Sequence, residues 1–341
     1  TGIFSVSIIA AALDPATCEV SGAGRSAATA GTSASIAIQG KDTYGNARTS
    51  GGTLFALATT GAVLQDSQVT DNGDGTYTGT YTVTELQTYN NEDRDYAKML
   101  LEVTLQSPSI DGQDVGAAGD PVGASPFEVF PQPGPGYADN TELVVGGNDF
   151  VDGLAGVRYP VDIVLADQYG NKKIVGGDTV EFQAPQGSTL EQETTDNADG
   201  TYAVRYMFTR SGSTELTVAV NGDTVSGIAR TVETSPAAAD GARCTLAPAS
   251  APEMSRELTA GEVTSFEILV FDTFDNRVTD LDADYDVAVR IYNDDASCSQ
   301  CASIAKKDGG TDGQLAYTVT YGATEPPAAG ERARVDQSSG E

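Results

Sequence analysis

The sequence contains no histidine and no tryptophan. Histidine is the usual general base near neutral pH and the commonest transition-metal ligand, so its absence excludes Ser-His-Asp and Cys-His catalysis from this chain. The sequence also lacks a Gly-x-x-x-x-Gly-Lys phosphate loop, a Gly-x-Ser-x-Gly nucleophile elbow and a dinucleotide-binding fingerprint. We therefore expect a protein that is not an enzyme and that needs no organic cofactor.

Basic residues are also scarce. The chain has 19 lysines and arginines against 49 aspartates and glutamates, which gives a formal net charge of −30. Nucleic acids and anionic membrane surfaces bind through protein cations, so we expect neither as a partner. The acidic surface either keeps the chain solvated and its strand edges apart, or it attracts divalent cations and basic proteins. No apolar run is long enough to span a membrane.

Cysteine is limited to four residues. Cys298 and Cys301 form a C-x-x-C pair, which is half of a zinc site at best. We expect a local disulfide between them, or one bond from this pair to Cys244; free thiols are the alternative. Cys18 and Cys244 lie near the starts of separate sequence repeats and should not bond to each other. Oxidised cysteines would indicate an extracellular or luminal setting.

What the sequence does contain is one pattern written three times. In each copy an Asp-x-aromatic-x-Asn motif precedes an Asp-Gly turn and a strand that carries tyrosines. Asp167 follows Asp42 by 125 residues, and Tyr202 follows Tyr77 by the same interval. A period this long fits whole small domains, each with its own core. The predicted turn residues are Asp42, Gly45, Asn46, Asn72, Gly75, Asp167, Gly170, Asn171, Asn197, Gly200, Asp272 and Asn276.

Each copy has the alternation of a β-structure. Ala34, Ile36 and Ile38, for example, are separated by single residues, and period two is typical of a half-buried strand. Tyrosines four residues apart share one face of a strand. We therefore expect both tyrosines of each copy to point into the core, with hydroxyls that reach backbone groups. No stretch has convincing helical periodicity, and the predicted fold is all-β, with one antiparallel sandwich per copy. The predicted core tyrosines are Tyr77, Tyr81, Tyr202, Tyr206, Tyr317 and Tyr321.

These motifs, together with the Ser-Pro-Phe-Glu-Val stretch that starts at Ser125, resemble the filamin-type immunoglobulin-like repeat. The resemblance covers nearly the whole chain, and it weakens from the first copy to the third. Bacterial adhesin-type immunoglobulin-like repeats share the Asp-x-x-Gly-Asn turn and are the family most easily confused with it. Either family implies tandem β-sandwiches with a structural, scaffolding or adhesive role.

The repeats predict the domain boundaries. Residues 1–12 alternate like the closing strand of a preceding repeat, and a Pro/Gly linker is predicted at 132–136. The repeats themselves are predicted at 13–131, with long insertions, at 137–235, and at 236–341, where the last copy is incomplete and has a cysteine-containing insertion. We expect one apolar core per repeat and weak coupling between neighbours.

Acidic runs suggest a weak calcium site, although the Asp-Gly turns do not match the ligand spacing of an EF-hand loop. Calcium binding near a junction between repeats is the hypothesis, with solvated acidic surface as the alternative. The candidate ligands are Asp280, Asp282, Asp284, Asp286, Asp294 and Asp295.

The filamin resemblance also implies a groove beside the third strand of a repeat, where a partner peptide adds a strand. The matching residues here are Phe55, Leu57, Val180, Phe182, Val287 and Val289. The alternative is that these are ordinary strands with shielded edges.

The sequence thus predicts a structural segment of a cell-surface or fibrous assembly that makes mechanical or adhesive contacts with proteins, including other copies of itself. The alternatives are a cytoskeletal, actin-crosslinker-like filamin segment and a peptide-binding module. An extracellular or cell-surface location is expected for the first, and the cytoskeleton for the second.

Overall fold

The computed structural model describes residues 4–88, 96–106, 109–110, 113–114, 116–143, 150–248, 262–278, 291–293, 296–298, 302–307, 315–322 and 334–335. Strands joined by turns make up almost all of this regular structure, and the described residues contain short 3-10 helices but no α-helix. The prediction of an all-β protein built from antiparallel sandwiches is therefore confirmed. Among the described residues, no helix has the length and apolar character needed to cross a membrane.

The first repeat is a sandwich of two four-stranded sheets, with strand orders β1-β3-β6-β5 and β2-β10-β7-β4. All pairs within these sheets are antiparallel except β10 with β2. Its strands, including the small β8-β9 ribbon, are β1 Glu19–Ser21, β2 Ala27–Thr29, β3 Ala34–Gln39, β4 Phe55–Thr60, β5 Ala62–Asp71, β6 Thr76–Leu86, β7 Met99–Leu105, β8 Ser109–Ile110, β9 Gln113–Asp114 and β10 Phe127–Gln132. The 3-10 helices are Pro15–Thr17 and Ala23–Arg25.

The second repeat has the same topology. Its sheets have the orders β11-β13-β16-β15 and β12-β18-β17-β14, and the short second strand, β12, runs parallel to the closing strand β18 as β2 does to β10. A 3-10 helix spans Ala138–Asn140. The strands are β11 Glu142–Leu143, β12 Gly153–Leu154, β13 Tyr159–Val164, β14 Val180–Gln183, β15 Leu190–Asp196, β16 Thr201–Phe208, β17 Gly212–Val220 and β18 Asp223–Ser235.

The third repeat keeps the first of these sheets, with the order β19-β20-β24-β23, beside a three-stranded sheet β22-β21-β25. Its described strands are β19 Thr245–Leu246, β20 Val263–Leu269, β21 Ile291–Asn293, β22 Ala296–Cys298, β23 Ala302–Lys307, β24 Ala316–Gly322 and β25 Arg334–Val335.

The described residues form separate apolar clusters, one in each repeat. In β6 and β16 every second side chain points into its cluster, which is the consequence of the period-two pattern. The tyrosines are among the largest fully buried side chains. Each repeat therefore has its own core, and contact between repeats must be made by the ends of the sandwiches.

The predicted domain boundaries stay predictions, but the strands can be compared with them. The closing strand β10 extends to Gln132, which is the first residue of the predicted linker. Residues 4–10 form no strand, and their side chains are mostly exposed.

Candidate functional site: the junctions between repeats

The Asp-x-aromatic-x-Asn motif forms the same turn in all three copies. The backbone amides of Tyr44 and Asn46 donate to Asp42 Oδ1 at 2.9 Å each, and Asn46 Nδ2 donates to Asp42 Oδ2 at 3.0 Å. Asp167 and Asp272 accept the equivalent bonds in their own turns. The side-chain bond from Asn46 is the main cause that lowers the pKa of Asp42 to about 2. An ionised carboxylate therefore organises the turn at neutral pH.

The fourth position of the motif needs a left-handed backbone. Gly45 and Gly170 have φ of 82° and 83°, a region that glycine occupies without steric cost. The third copy places Asp275 there with φ of 64°, and aspartate is one of the few other residues that tolerate this conformation. The backbone conformation of the turn therefore accounts for the residue type at this position.

The same aspartates also hold the chain that enters each repeat. Asp42 Oδ2 accepts the amide of Ala11 at 2.9 Å, and Asp167 Oδ2 accepts the amide of Gly134 at 2.8 Å. In the third copy Asp272 Oδ2 accepts the amide of Ala237 at 2.8 Å. Burial alone would raise the pKa of Asp272, but these bonds and those within its turn hold the pKa below its ordinary value. Each linker is thus fixed to the turn of the repeat that follows it.

A basic side chain completes this linker contact in the first two copies. Arg48 Nη1 donates to the carbonyl of Ala11 at 2.7 Å, and Lys173 Nζ donates to the carbonyl of Gly134 at 2.9 Å. Lys173 is buried and also pairs with Asp178 at 3.3 Å. One linker residue is therefore held by both its amide and its carbonyl, which restricts two successive peptide groups.

The asparagine that ends the motif reaches across the junction. Asn171 Oδ1 accepts the amide of Leu86 at 2.9 Å, and Asn171 Nδ2 donates to the carbonyl of Thr84 at 2.7 Å. Both partners lie at the end of β6 in the first repeat, beyond Tyr81, which is the last residue of β6 that pairs with β3. A single amide side chain thus bonds a donor and an acceptor two residues apart, as a further strand would do.

The next junction repeats this contact. Asn276 Oδ1 accepts the amide of Ser211 at 2.8 Å, and Asn276 Nδ2 donates to the carbonyl of Thr209 at 2.8 Å. Thr209 and Ser211 follow β16, and they lie 125 residues beyond the partners of Asn171. The two asparagines are 6% and 7% exposed, so both bridges lie in a protected interface.

An aromatic ring packs beside each asparagine bridge. Tyr169 lies against Gly31 and against the core cluster of the first repeat. Phe274 lies against Gly156, again 125 residues beyond the first glycine. A Cβ atom at Gly31 would stand 2.8 Å from the Tyr169 ring, and one at Gly156 would stand 2.5 Å from the Phe274 ring. Only glycine allows this approach.

Tyr96, which lies between β6 and β7 in the first repeat, contributes one further bond. Tyr96 donates from its hydroxyl to the carbonyl of Lys172 at 2.8 Å. Lys172 belongs to the turn region of the second repeat, so Tyr96 forms part of the junction between the two repeats. These contacts add bonds between neighbouring repeats that the expectation of weak coupling did not include.

The other predicted turn residues stand at hairpin corners. Asn72 and Gly75 connect β5 to β6, and Asn197 and Gly200 connect β15 to β16. A side chain at Gly75 would overlap the backbone of Arg48, so this glycine allows two turns of one repeat to touch.

In the first two repeats the predicted core tyrosines bond backbone groups through their hydroxyls. Tyr77 accepts the amide of Thr53 at 3.2 Å, and Tyr202 accepts the amide of Asp178 at 3.0 Å. Tyr81 donates to the carbonyl of Gly24. In the second repeat Tyr206 donates to the carbonyl of Val151 at 2.9 Å. In the third repeat Tyr317 is buried and Tyr321 is partly exposed.

The predicted partner strands lie at sheet edges, but the two described edges differ. Phe55 and Leu57 lie in β4, which has β7 as its one sheet neighbour among the described strands. In the second repeat, Gln192 bonds both the amide and the carbonyl of Phe182, at 2.6 and 3.1 Å. Thr194 caps the carbonyl of Val180 at 3.0 Å. The edge of β14 is therefore occupied by side chains of its own repeat.

Several predicted residues lie outside the described part of the chain. They are Asp280, Asp282, Asp284, Asp286, Val287, Val289, Asp294, Asp295 and Cys301, together with the side chain of Cys298. The calcium and disulfide hypotheses stay predictions. Cys18 and Cys244 are free thiols, so the alternative bond from the C-x-x-C pair to Cys244 is not formed. The described residues contain no cluster of three or more metal-ligating side chains.

Sequence reasoning missed the role of the motif asparagines between repeats. Two signals were available. The asparagine is present in all three copies although the turn itself is organised by the aspartate, and Gly31 recurs as Gly156 at the repeat interval.

Comparison with known proteins agrees with this architecture. Residues 12–92 match the family model of the filamin/ABP280 repeat, and residues 155–237 match that of invasin domain 3. A structure of the Escherichia coli adhesin FdeC is 19% identical, with a TM-score of 0.41 over 97% of this chain and 96% of that one. Invasin, described as a bacterial integrin-binding protein, is 15% identical, with a TM-score of 0.36 over 90% of this chain and 54% of its own.

The filamin domain of Lin-41 is 25% identical over 30% of this chain and 97% of that one, with a TM-score of 0.26. Since all these TM-scores lie below 0.5, the assignment depends on the family matches and on the repeated strand order instead. The chain is a tandem array of immunoglobulin-like β-sandwich repeats, of which residues 12–92 match the filamin/ABP280 repeat and residues 155–237 match invasin domain 3.

Proposed function

We propose that this chain is a non-enzymatic spacer that holds its repeats in a fixed relative orientation and supports adhesive or mechanical protein–protein contacts at a cell surface. The observation that carries the proposal is the asparagine bridge, which occurs in the same form at both junctions. An array of flexibly linked repeats needs no such contact, whereas a spacer that transmits force or sets a distance between its ends does.

The energetics of a junction support stiffness. Bending a junction would break two bridging hydrogen bonds, each worth about 1 kcal/mol. It would also separate an aromatic ring from the glycine against which it packs. It would also pull on a linker whose peptide groups are bonded to Asp167 and Lys173. These terms together oppose bending by several times the thermal energy of about 0.6 kcal/mol.

The surface charge fits the same role. A formal charge of −30 keeps parallel arrays apart and discourages edge-to-edge pairing of exposed strands. The match to invasin domain 3 supports an adhesive setting outside the cell, whereas the match to the filamin/ABP280 repeat is the argument for the cytoskeletal alternative.

Small-angle scattering tests the spacer. We expect one narrow distribution of interatomic distances for the chain, and a broader one for the Asn171→Ala, Asn276→Ala double variant. Asn46→Ala is the matched control. It changes the equivalent turn of the first repeat, where the asparagine has no described bond to another repeat. Equal distributions for all three proteins would refute a fixed orientation.

Protease treatment of intact cells that produce the parent polypeptide tests the location. Rapid loss of an epitope within this chain is expected for a surface protein. Full protection until lysis would instead support the cytoskeletal alternative.

A second candidate function, strand addition at β4, is favoured by the difference between the two edges. In the antiparallel register the backbone groups of Phe55 and Leu57 point away from β7, as those of Val180 and Phe182 point away from β17. The first repeat has Ser67 where the second has Gln192, and each pairs with a tyrosine of the neighbouring strand. Among the described residues no side chain caps the outer edge of β4 in this way.

An exchange of these two residues tests the candidate directly. With a panel of extended peptides of alternating apolar and polar residues, binding should perturb the amides of Phe55 and Leu57. Ser67→Gln should abolish this binding, and Gln192→Ala should open the edge of β14 to the same peptides. Binding that is indifferent to both substitutions would exclude strand addition at these edges.

A further inference from the structure

The turn of the first repeat presents the junction residues without a partner. Tyr44 is 81% exposed, whereas the equivalent Tyr169 packs against a neighbouring repeat. Asn46 is exposed as well, although it makes the same bonds to its own aspartate as the other motif asparagines do. This corner therefore has the residues that the second repeat contributes to its junction, but within the described residues no other repeat contacts them.

The chain that leads to this corner has the register of a closing strand. Ala11 and Gly134 donate the equivalent hydrogen bonds to Asp42 and Asp167, so the two linkers can be aligned on these residues. Counting back the same number of positions places residues 4–9 on β10 at 127–132.

The alternation of apolar side chains agrees with that alignment. Phe4 and Val6 fall on Phe127 and Val129, which are 9% and 0% exposed in the first repeat. Phe4 and Val6 themselves are 91% and 84% exposed. Ile8, which is also exposed, falls on the buried Pro131. The apolar face of a closing strand is thus present without the sandwich that would bury it.

We propose that the corner formed by Tyr44, Asn46 and residues 4–9 is the docking surface for another immunoglobulin-like repeat, joined in the same polypeptide. Residues 4–9 close the second sheet of that repeat. The end of its sixth strand offers a carbonyl and an amide, two residues apart, to Asn46, and a glycine lies under the Tyr44 ring.

The linker contacts favour this occupant over an unrelated protein. Ala11 is held by Asp42 and by Arg48 as Gly134 is held by Asp167 and Lys173, so the entering chain is already set in the direction found at the next junction. The inference builds on the proposed spacer function, but the two fail separately. A flexible array could still contain a repeat at this corner, and a stiff array could lack one.

The experiment adds a sandwich ahead of the full chain. Residues 13–126, which lack their own closing strand, are fused directly before Phe4, so that residues 4–9 take the place of 127–132. Hydrogen exchange is then followed in residues 4–9 of the fused and the original chain. We expect exchange there to slow by about 100-fold in the fusion, because these amides enter a sheet.

Asn46→Ala provides the second measurement. It should speed exchange at the new junction by about 30-fold in the fusion, as expected for the loss of both bridging bonds, and leave residues 4–9 unchanged in the original chain. A second fusion carries residues 13–132 with their own closing strand. If only this second fusion folds, or if residues 4–9 exchange freely in a folded first fusion, the proposal is overturned.

Discussion

Replacing Asn171 with alanine should uncouple the first two repeats without unfolding either core. The substitution removes the bonds to the Leu86 amide and the Thr84 carbonyl, and leaves both backbone groups in a buried interface. A buried polar group that loses its partner costs about 1–3 kcal/mol. Because water can reach the opened junction, we expect a total loss of about 2–4 kcal/mol, part of which comes from the turn itself.

Native-state hydrogen exchange measures this loss at the bond concerned. A junction weakened by about 2 kcal/mol should exchange the Leu86 amide about 30-fold faster, since 1.4 kcal/mol corresponds to a factor of ten. The Ser211 amide, bonded to Asn276 at the other junction, is the internal reference and should not change.

The matched control for this substitution is Asn46→Ala. It removes the equivalent side-chain bond to the motif aspartate but no described bond to another repeat. The difference between the two variants therefore isolates the energy of the junction. Equal losses in both variants, or an unchanged Leu86 amide in Asn171→Ala, would refute the idea that the asparagine couples the repeats.

The remaining predictions concern packing and titration. Gly156→Ala should destabilise the chain by about 1–3 kcal/mol more than Gly187→Ala in thermal unfolding, because both have positive φ but only Gly156 faces a ring at 2.5 Å; equal losses would contradict the packing argument. The pKa of Asp42 lies at about 2 against an ordinary value of 3.8, so its stabilisation is present above about pH 4 and is lost as the pH falls towards 2. Asp42→Asn should flatten the dependence of the denaturation midpoint on pH in this range, and an unchanged slope would count against it. Burial raises the pKa of Tyr81 from 10.0 to about 12, so stability should be lost as the pH rises from about 10 to 12; Tyr81→Phe should reduce this loss, as followed by circular dichroism.

Much of the fold could be predicted because its signals are local. A strand with one buried face must alternate, and a left-handed turn must use glycine, aspartate or asparagine, so Gly45, Gly170 and the core tyrosines are readable from the sequence. The repeat interval then supplied the number of sandwiches. The strand order within each sheet depends on pairings between distant segments, for which the sequence offers only the family resemblance.

The sequence predicted the turns of the candidate site but not the contacts that these turns make with the neighbouring repeat. The motif residues were identified as turn residues, which they are, but their second set of partners lies in another repeat. Asn171 and Leu86 are 85 residues apart, and no periodicity relates an amide side chain to the end of a distant strand. The capping of β14 by Gln192 was equally hidden, because it depends on how two sheets meet at their edges.

The sequence by itself determined that this chain builds several β-sandwiches of one kind, since alternation, turn residues and a fixed interval are properties of neighbours along the chain. The tertiary structure decided how the sandwiches are joined. Hydrogen bonds between repeats need a donor and an acceptor at about 2.9 Å, and only the folded ends of two sandwiches bring Asn171 and Asn276 to the backbone groups that they bond.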